Sequence, residues 1–247
     1  MSHATFRDDV FAGSLALVSG GTSGIGAAVG DQLAGLGARV IVTGATTPEG
    51  AAHSACELAA ASVIVLDVRD APAIAQCVAA LPRLDILVNC AGIIRRGAEH
   101  DPETFAEVID INLNGMTRLC ARVRPRLRET RGCIANTCSM EPFFRGPHAP
   151  AYSASKGGVA QLTKALAMAY AVDRIRVNTI APGWIATPLT EIVRSDAQKS
   201  ATILGRTPLG RWGKPFEVAN VVSFLCSPAA AFITGAIVPV DGGYLVA

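Results

Sequence analysis

Short β-branched and apolar runs alternate with alanine- and leucine-rich stretches along this chain. The runs predict strands at 15–19, 39–43, 63–66, 86–89, 133–137, 176–180 and 237–240. Helical stretches are expected near 24–36, 49–60, 71–80, 103–129, 152–172 and 214–227. Such alternation argues for an α/β fold, a parallel sheet with helices on both faces. The strands, LALV and VIV among them, are continuous apolar runs, as expected where both faces are covered. No Gly/Ser/Pro linker and no repeat of fixed period interrupts them, so a single domain over 1–247 is expected.

Residues 182–213 depart from this pattern. Pro182, Gly183, Pro188, Gly205, Pro208, Gly210 and Gly213 punctuate the stretch. An excursion of this kind near the end of a sheet is a candidate substrate lid, with an ordinary surface excursion as the alternative.

Composition narrows the class without naming an activity. Half of the 247 residues are hydrophobic and 17% are charged, enough apolar material for a large core. The balance of 22 basic and 20 acidic residues gives no reason to expect nucleic acid or an anionic membrane as partner. No apolar stretch is long enough to span a membrane, and the first residues lack an apolar signal core. The 7 cysteines form no C-x-x-C pair and no zinc spacing, so no metal is expected and a reducing, cytoplasmic setting is. Arg118, Arg122, Arg124, Arg126, Arg128 and Arg131 cluster at one predicted helix end. They read as a solvated end that complements the helix dipole, or as an anion patch.

The first strand runs into Gly20-Gly21-Thr22-Ser23-Gly24-Ile25-Gly26 and then a helix of small residues. Phosphates need close approach to the N–H groups of a helix start, and side chains in the turn would block it. A glycine turn between strand and helix is the context of a dinucleotide site. Asp67, followed by Val68, ends the third strand, where a carboxylate can accept from an adenine amino group. Asp70 fits the helix cap that follows. Asn89-Cys90-Ala91-Gly92 ends the fourth strand, with residues small enough for a ribose or nicotinamide to lie against.

Tyr152 and Lys156 stand one helical turn apart, on one face. A lysine cation beside a phenol favours the phenolate and lowers the phenol pKa from about 10. Ser139 precedes the tyrosine and offers a hydroxyl to hold a carbonyl or alcohol oxygen.

Together these motifs resemble the short-chain dehydrogenase/reductase family over nearly the whole chain. SGGTSGIG resembles that family's T-G-x-x-x-G-x-G, with Ser19 for the threonine. NCAG resembles its N-N-A-G, with Cys90 for the second asparagine. Asn112, Ser139, Tyr152 and Lys156 match its catalytic tetrad, and Pro182-Gly183-Trp184-Ile185-Ala186-Thr187 its segment bordering the nicotinamide. ITGAIVPVDGGY resembles its last strand and closing turn.

The resemblance implies a Rossmann-type doubly wound sheet in the order 3-2-1-4-5-6-7 and a hydride exchange between NAD(P) and a carbonyl or secondary alcohol. Tyr152 would be the general acid or base. Lys156 would lower its pKa and bind the nicotinamide ribose, and Ser139 would hold the substrate oxygen. Asn112 would anchor a water that links Lys156 to solvent. Gly20, Thr22, Ser23, Gly24, Ile25, Gly26, Thr46, Asp67, Val68, Asn89, Ala91, Gly92, Pro182, Gly183, Ile185 and Thr187 would surround the cofactor, with Tyr152 and Lys156. After the second strand, Val42-Thr43-Gly44-Ala45-Thr46-Thr47 holds neither the acid that marks NAD nor the arginine that marks NADP. Ser23 is neutral too, and a 2′-phosphate without a cation is poorly compensated, which favours NAD over NADP.

For the substrate, Arg95 or Arg96, Met140, Glu141, His148 and Trp184 are candidates. Their surroundings resemble the sugar-acid branch, 2-dehydro-3-deoxygluconate and gluconate 5-dehydrogenases. The 3-oxoacyl carrier-protein and acyl-CoA reductases are the alternative enzyme, and a non-catalytic dinucleotide-binding regulator is the alternative of another class. An arginine at 95 or 96 binds a substrate carboxylate, or pairs at the surface with Glu99 or Asp101. The family is often tetrameric through helices placed like 103–129 and 152–172, so a homotetramer is expected.

Overall fold

The structure, a computed structural model, describes residues 6–45, 61–140 and 148–247. Thr46, Cys56, Glu141 and the helix expected at 49–60 lie outside the described residues. Seven strands form one sheet: β1 Leu15–Ser19, β2 Arg39–Gly44, β3 Ala61–Val65, β4 Ile86–Asn89, β5 Cys133–Thr137, β6 Arg176–Pro182 and β7 Ile237–Val240. The order is β3-β2-β1-β4-β5-β6-β7, as expected, and every pairing is parallel. β1 lies inside the sheet between β2 and β4, where Leu17 stands opposite Ile41 on one side and Leu87 on the other.

Successive side chains of a strand point to opposite faces. Leu15, Leu17, Leu87, Ile134 and Val177 enter one apolar layer, beneath α2 (Ala71–Ala79), α4 (Met116–Thr130) and α5 (Pro150–Tyr170). Ala16, Val18, Val88 and Ala135 enter the other, beneath α1 (Gly24–Gly35) and α7 (Pro215–Cys226). Both faces are covered, which is why LALV carries no polar residue.

The single helix expected at 103–129 is instead two. α3 (Pro102–Ile109) and α4 are joined by a π-helical turn over Asp110–Gly115. Asp101 caps α3 by accepting from Thr104 N at 2.9 Å, and Asp70 caps α2 by accepting from Ala73 N at 2.8 Å. Across the π turn the register changes: α3 packs on α5, whereas α4 packs on α2. Of the clustered arginines, Arg118 pairs with Asp110 at 2.7 Å and Arg124 with Asp173 at 2.6 Å. Arg124 also stacks on Tyr170, so these two serve the fold.

The 182–213 stretch is more regular than its Gly and Pro content predicts. It holds a 3-10 turn at Pro188–Thr190, one helical turn at Glu191–Arg194 and α6 (Ala197–Arg206). Its ends are stitched to the C-terminal turn. Gly183 N donates to Val240 O at 3.0 Å, and Leu209 N to Gly242 O at 3.1 Å. Among the described residues, no helix is long and apolar enough to cross a membrane.

Candidate active site

The strand order reverses between β1 and β4, so the chain leaving their C-terminal ends diverges and a crevice opens. A cleft of about 570 Å³ lies there. Gly20, Thr22, Ser23, Gly24, Ile25 and Gly26 line one end of it. Gly20 has φ +68°, and a Cβ on it would stand 2.5 Å from Ala91 N. A Cβ on Gly26 would stand 2.1 Å from Gly20 O. Only glycine lets the turn fold this tightly on itself and on the β4 turn. Ser23 is the N-cap of α1, yet its side chain accepts no capping hydrogen bond. The first N–H groups of α1 thus lack a side-chain cap, the arrangement that receives phosphate. Glycine cradle and uncapped helix start together fit a dinucleotide.

Asp67, Val68, Ala91 and Gly92 line the adjoining wall. Arg69 grips the Asp67 carboxylate, with Nη2 donating to Oδ2 at 2.6 Å and its main-chain N to Oδ1 at 2.9 Å. That hydrogen bonding holds the Asp67 carboxyl below its usual pKa, against the opposing effect of burial. Arg69 itself lines the cleft, which the sequence reading did not foresee. Asn89 does not line it. Its side chain is buried and donates to Asn136 Oδ1 at 2.9 Å and Cys120 Sγ at 3.4 Å. It braces β4 against β5 and α4.

Tyr152, Lys156 and Ser139 all line the cleft. α5 presents the first two from its early turns, and Ser139 follows β5. Lys156 is only 4% exposed. Its Nζ donates to Thr137 O at 2.7 Å and sits 5.6 Å from the centre of the Tyr152 ring. Burial pushes the Lys156 ammonium down, partly offset by the neighbouring Cys138 and Cys90 thiols. Asn112 lies behind this group, fully buried in the π turn. Its Oδ1 accepts from Ile93 N at 2.8 Å, and its Nδ2 donates to Ile93 O at 2.9 Å and Ser155 Oγ at 3.1 Å. Both amide hydrogens are in use, so a water at this residue would be held through an oxygen. A Cβ on Gly92 would stand 3.3 Å from Asn112 Oδ1 and 3.6 Å from Lys156 Nζ, which measures how closely these groups converge.

Pro182, Gly183, Trp184, Ile185 and Thr187, at the start of the 182–213 stretch, line another side, together with Met140. Thr190 anchors that side by donating to Ile185 O at 2.6 Å and accepting from Thr187 N at 3.1 Å. Trp184 meets Trp212 edge to face at 5.7 Å. Of the two candidate arginines, Arg96 lines the cleft and Arg95 does not. Arg95 instead approaches Glu107 at 3.5 Å. His148 is exposed and lies off the cleft lining, and its main-chain oxygen accepts from Gly97 N at 2.7 Å. Glu99, expected as a surface partner for an arginine, is completely buried. Its polar setting in the sequence carries no sign of this. Among the described residues no cluster suits a metal ion.

A family model described as enoyl-(acyl carrier protein) reductase matches residues 20–245. The chain is 42% identical over 246 residues to the galactitol 2-dehydrogenase (L-tagatose-forming) of Cereibacter sphaeroides, spanning 95% of this chain and 96% of that one. It is 38% identical over 244 residues to a 2-dehydro-3-deoxy-D-gluconate 5-dehydrogenase of Pseudoalteromonas atlantica, spanning 94% and 96%. Among solved structures, the Pseudomonas aeruginosa RhlG/NADP active-site complex is similar with a TM-score of 0.89 at 30% identity, over 97% of this chain and 100% of that one.

Proposed function

The chain belongs to the short-chain dehydrogenase/reductase family and is an NAD(P)-dependent oxidoreductase of carbonyls and secondary alcohols; we propose that Tyr152, Lys156, Ser139 and Asn112 carry its chemistry on a sugar acid or related polyhydroxy compound. The observation that carries this reading is the convergence of Tyr152, Lys156 and Ser139 in the cleft that the glycine turn opens. The nicotinamide, when bound, supplies or accepts the hydride. Tyr152 gives a proton to the substrate oxygen in reduction and takes it back in oxidation. Ser139 donates a hydrogen bond to the same oxygen and stabilises charge that develops on it. Lys156 sets the phenol's acidity by its charge. Burial already disfavours its own protonated form, which suits a group that passes a proton onward. An oxygen of Asn112 holds the water that connects it to solvent.

Arg96 is the group we assign to a substrate carboxylate, with Ile93, Ile94, Met140 and Leu189 as apolar walls. The two dehydrogenases named above act, by their names, on a sugar alcohol and a sugar acid, which supports this substrate class. The apolar walls and the description of the matched family model keep an acyl-thioester reductase as the second reading. We favour NAD over NADP. Of the three cations that line the cleft among the described residues, Lys156 is buried, Arg96 is on the substrate side and Arg69 is held by Asp67. We read the chain as one domain with 182–213 as its substrate lid. A homotetramer is supported by apolar side chains left in water along α5 and just beyond it, Met168 at 83% and Val172 at 81% exposed. A monomer by light scattering would overturn it. The free thiols of the described cysteines agree with a cytoplasmic setting.

Titration with NADH and NADPH, then a screen of keto acids, ketoses and 3-oxoacyl thioesters, tests the reading. Tyr152→Phe should abolish turnover and leave cofactor affinity unchanged. Turnover that survives this substitution would sink the mechanism.

A further inference from the structure

Glu99 has no exposed surface, although it lies among polar residues in the segment between β4 and α3. A carboxylate removed from water is strongly disfavoured unless hydrogen bonds replace its hydration. Its two oxygens take main-chain N–H groups from two separate parts of the chain. Oε1 accepts from Arg95 N at 2.7 Å, and Oε2 accepts from Tyr152 N at 2.8 Å. Tyr152 is the third residue of α5, and Ala149, the N-cap of that helix, supplies no side-chain capping bond. Glu99 therefore satisfies a first-turn N–H of α5 from a distant segment, at the helix end that favours negative charge. A parallel link reinforces it, since Gly97 N donates to His148 O at 2.7 Å just ahead of the helix.

We infer that Glu99 is a positioning residue that fixes Tyr152 relative to the substrate-facing loop carrying Ile93, Ile94 and Arg96. One carboxylate holds both main chains, so the acid-base group and the groups that orient the substrate share a single anchor. This inference rests on Tyr152 being the general acid or base. A helix cap alone would need one oxygen on α5. The second oxygen, on Arg95 N, is what ties the cap to the substrate side.

Glu99→Gln keeps the volume and one acceptor, and sets an amide N–H₂ against one of the two donors. We expect kcat per bound cofactor to fall roughly tenfold to a hundredfold, the scale of a misplacement near 1 Å. Cofactor affinity should stay within about twofold, because the phosphate turn is not involved. The limb of the kcat–pH profile that reports the phenol should move to higher pH as Tyr152 drifts from Lys156. A purely structural role would lower the melting temperature and leave both kcat per bound cofactor and that limb in place, which would overturn the inference. Glu99→Asp keeps the charge but is too short for both donors, and the same two readouts on it decide the matter if the glutamine variant does not fold. If neither variant folds, the carboxylate maintains the fold and the positioning role is wrong. Tyr152→Phe measured alongside separates the premise from the inference. An active Y152F removes the premise, whereas an inactive Y152F beside an unaltered E99Q removes only the role of Glu99.

Discussion

Replacing Gly26 by alanine adds one methyl group where there is no room for it. That carbon would stand 2.1 Å from the Gly20 carbonyl oxygen and 3.0 Å from Gly21 Cα, whereas ordinary contact begins at 3.4 Å. All the opposing atoms are main chain, so no side-chain rotation relieves the overlap. The turn itself has to retreat, by roughly 1 Å or more. Overpacking a well-filled site costs typically 1–3 kcal/mol, and a main-chain clash belongs at the top of that range, about 3 kcal/mol. For a domain of this size that corresponds to a fall in melting temperature of roughly 6–12 °C. The retreat also spoils the phosphate cradle, so NADH and NADPH affinity should fall by about tenfold or more. Gly35→Ala is the matched control. It is the exposed last residue of α1, with nothing within 4 Å of an added Cβ. There the same methyl group should leave stability level or raise it by about 0.4–1 kcal/mol. Thermal denaturation and a fluorescence titration with each cofactor read both variants. A Gly26→Ala protein that melts within 2 °C of the parent, roughly the noise of the method, and binds cofactor equally well would refute the close approach.

Lys156→Met removes the cation beside Tyr152 and leaves Thr137 O without its donor. We expect kcat to fall by about a hundredfold or more, with part of the loss recovered at high pH where the phenol ionises unaided; a profile of unchanged shape would count against the cation's role. Arg211 holds the Glu217 carboxyl at about 2, below its ordinary 4.5, through bonds of 2.6 and 2.8 Å. The folded form is the one with the depressed value, so this pair's stabilisation is complete above about 4.5 and fades as pH falls toward 2. The gap in urea midpoint between the parent and Glu217→Gln should therefore narrow over that window; a gap constant from pH 7 to pH 3 would contradict the sign.

The fold was largely legible because the inner strands β1, β4 and β5 are buried throughout, and uninterrupted apolar runs such as LALV leave few other placements. The phosphate turn was legible for a steric reason, since glycines at 20 and 26 stand where any side chain would meet main chain. Asn112 could be named, but its setting could not. Hydrophobic periodicity runs through 103–129 at helical spacing and carries no mark of a π turn, whose register change depends on how α5 and α2 press on either half. Glu99 was misplaced because charged residues in a loop are nearly always solvated, and only the converging N–H groups of Arg95 and Tyr152 reverse that expectation. The choice between Arg95 and Arg96 stayed open in the sequence for a related reason. Outside regular structure no period dictates which neighbour points inward, and Glu107 draws Arg95 away.

The π turn at Asp110–Gly115 couples the site to the phase of a whole helix. In a regular helix each residue advances the chain by about 100° around the axis. Removing one residue here would rotate α4 by that amount relative to α3 and swing Leu119, Val123 and Leu127 out of the core they now fill. The change could not be repaired by substituting Asn112, because the fault would lie in the phase of the whole helix. The asparagine's place behind Lys156 and the packing of α4 are thus set by one feature, and a deletion in this turn would disturb both at once.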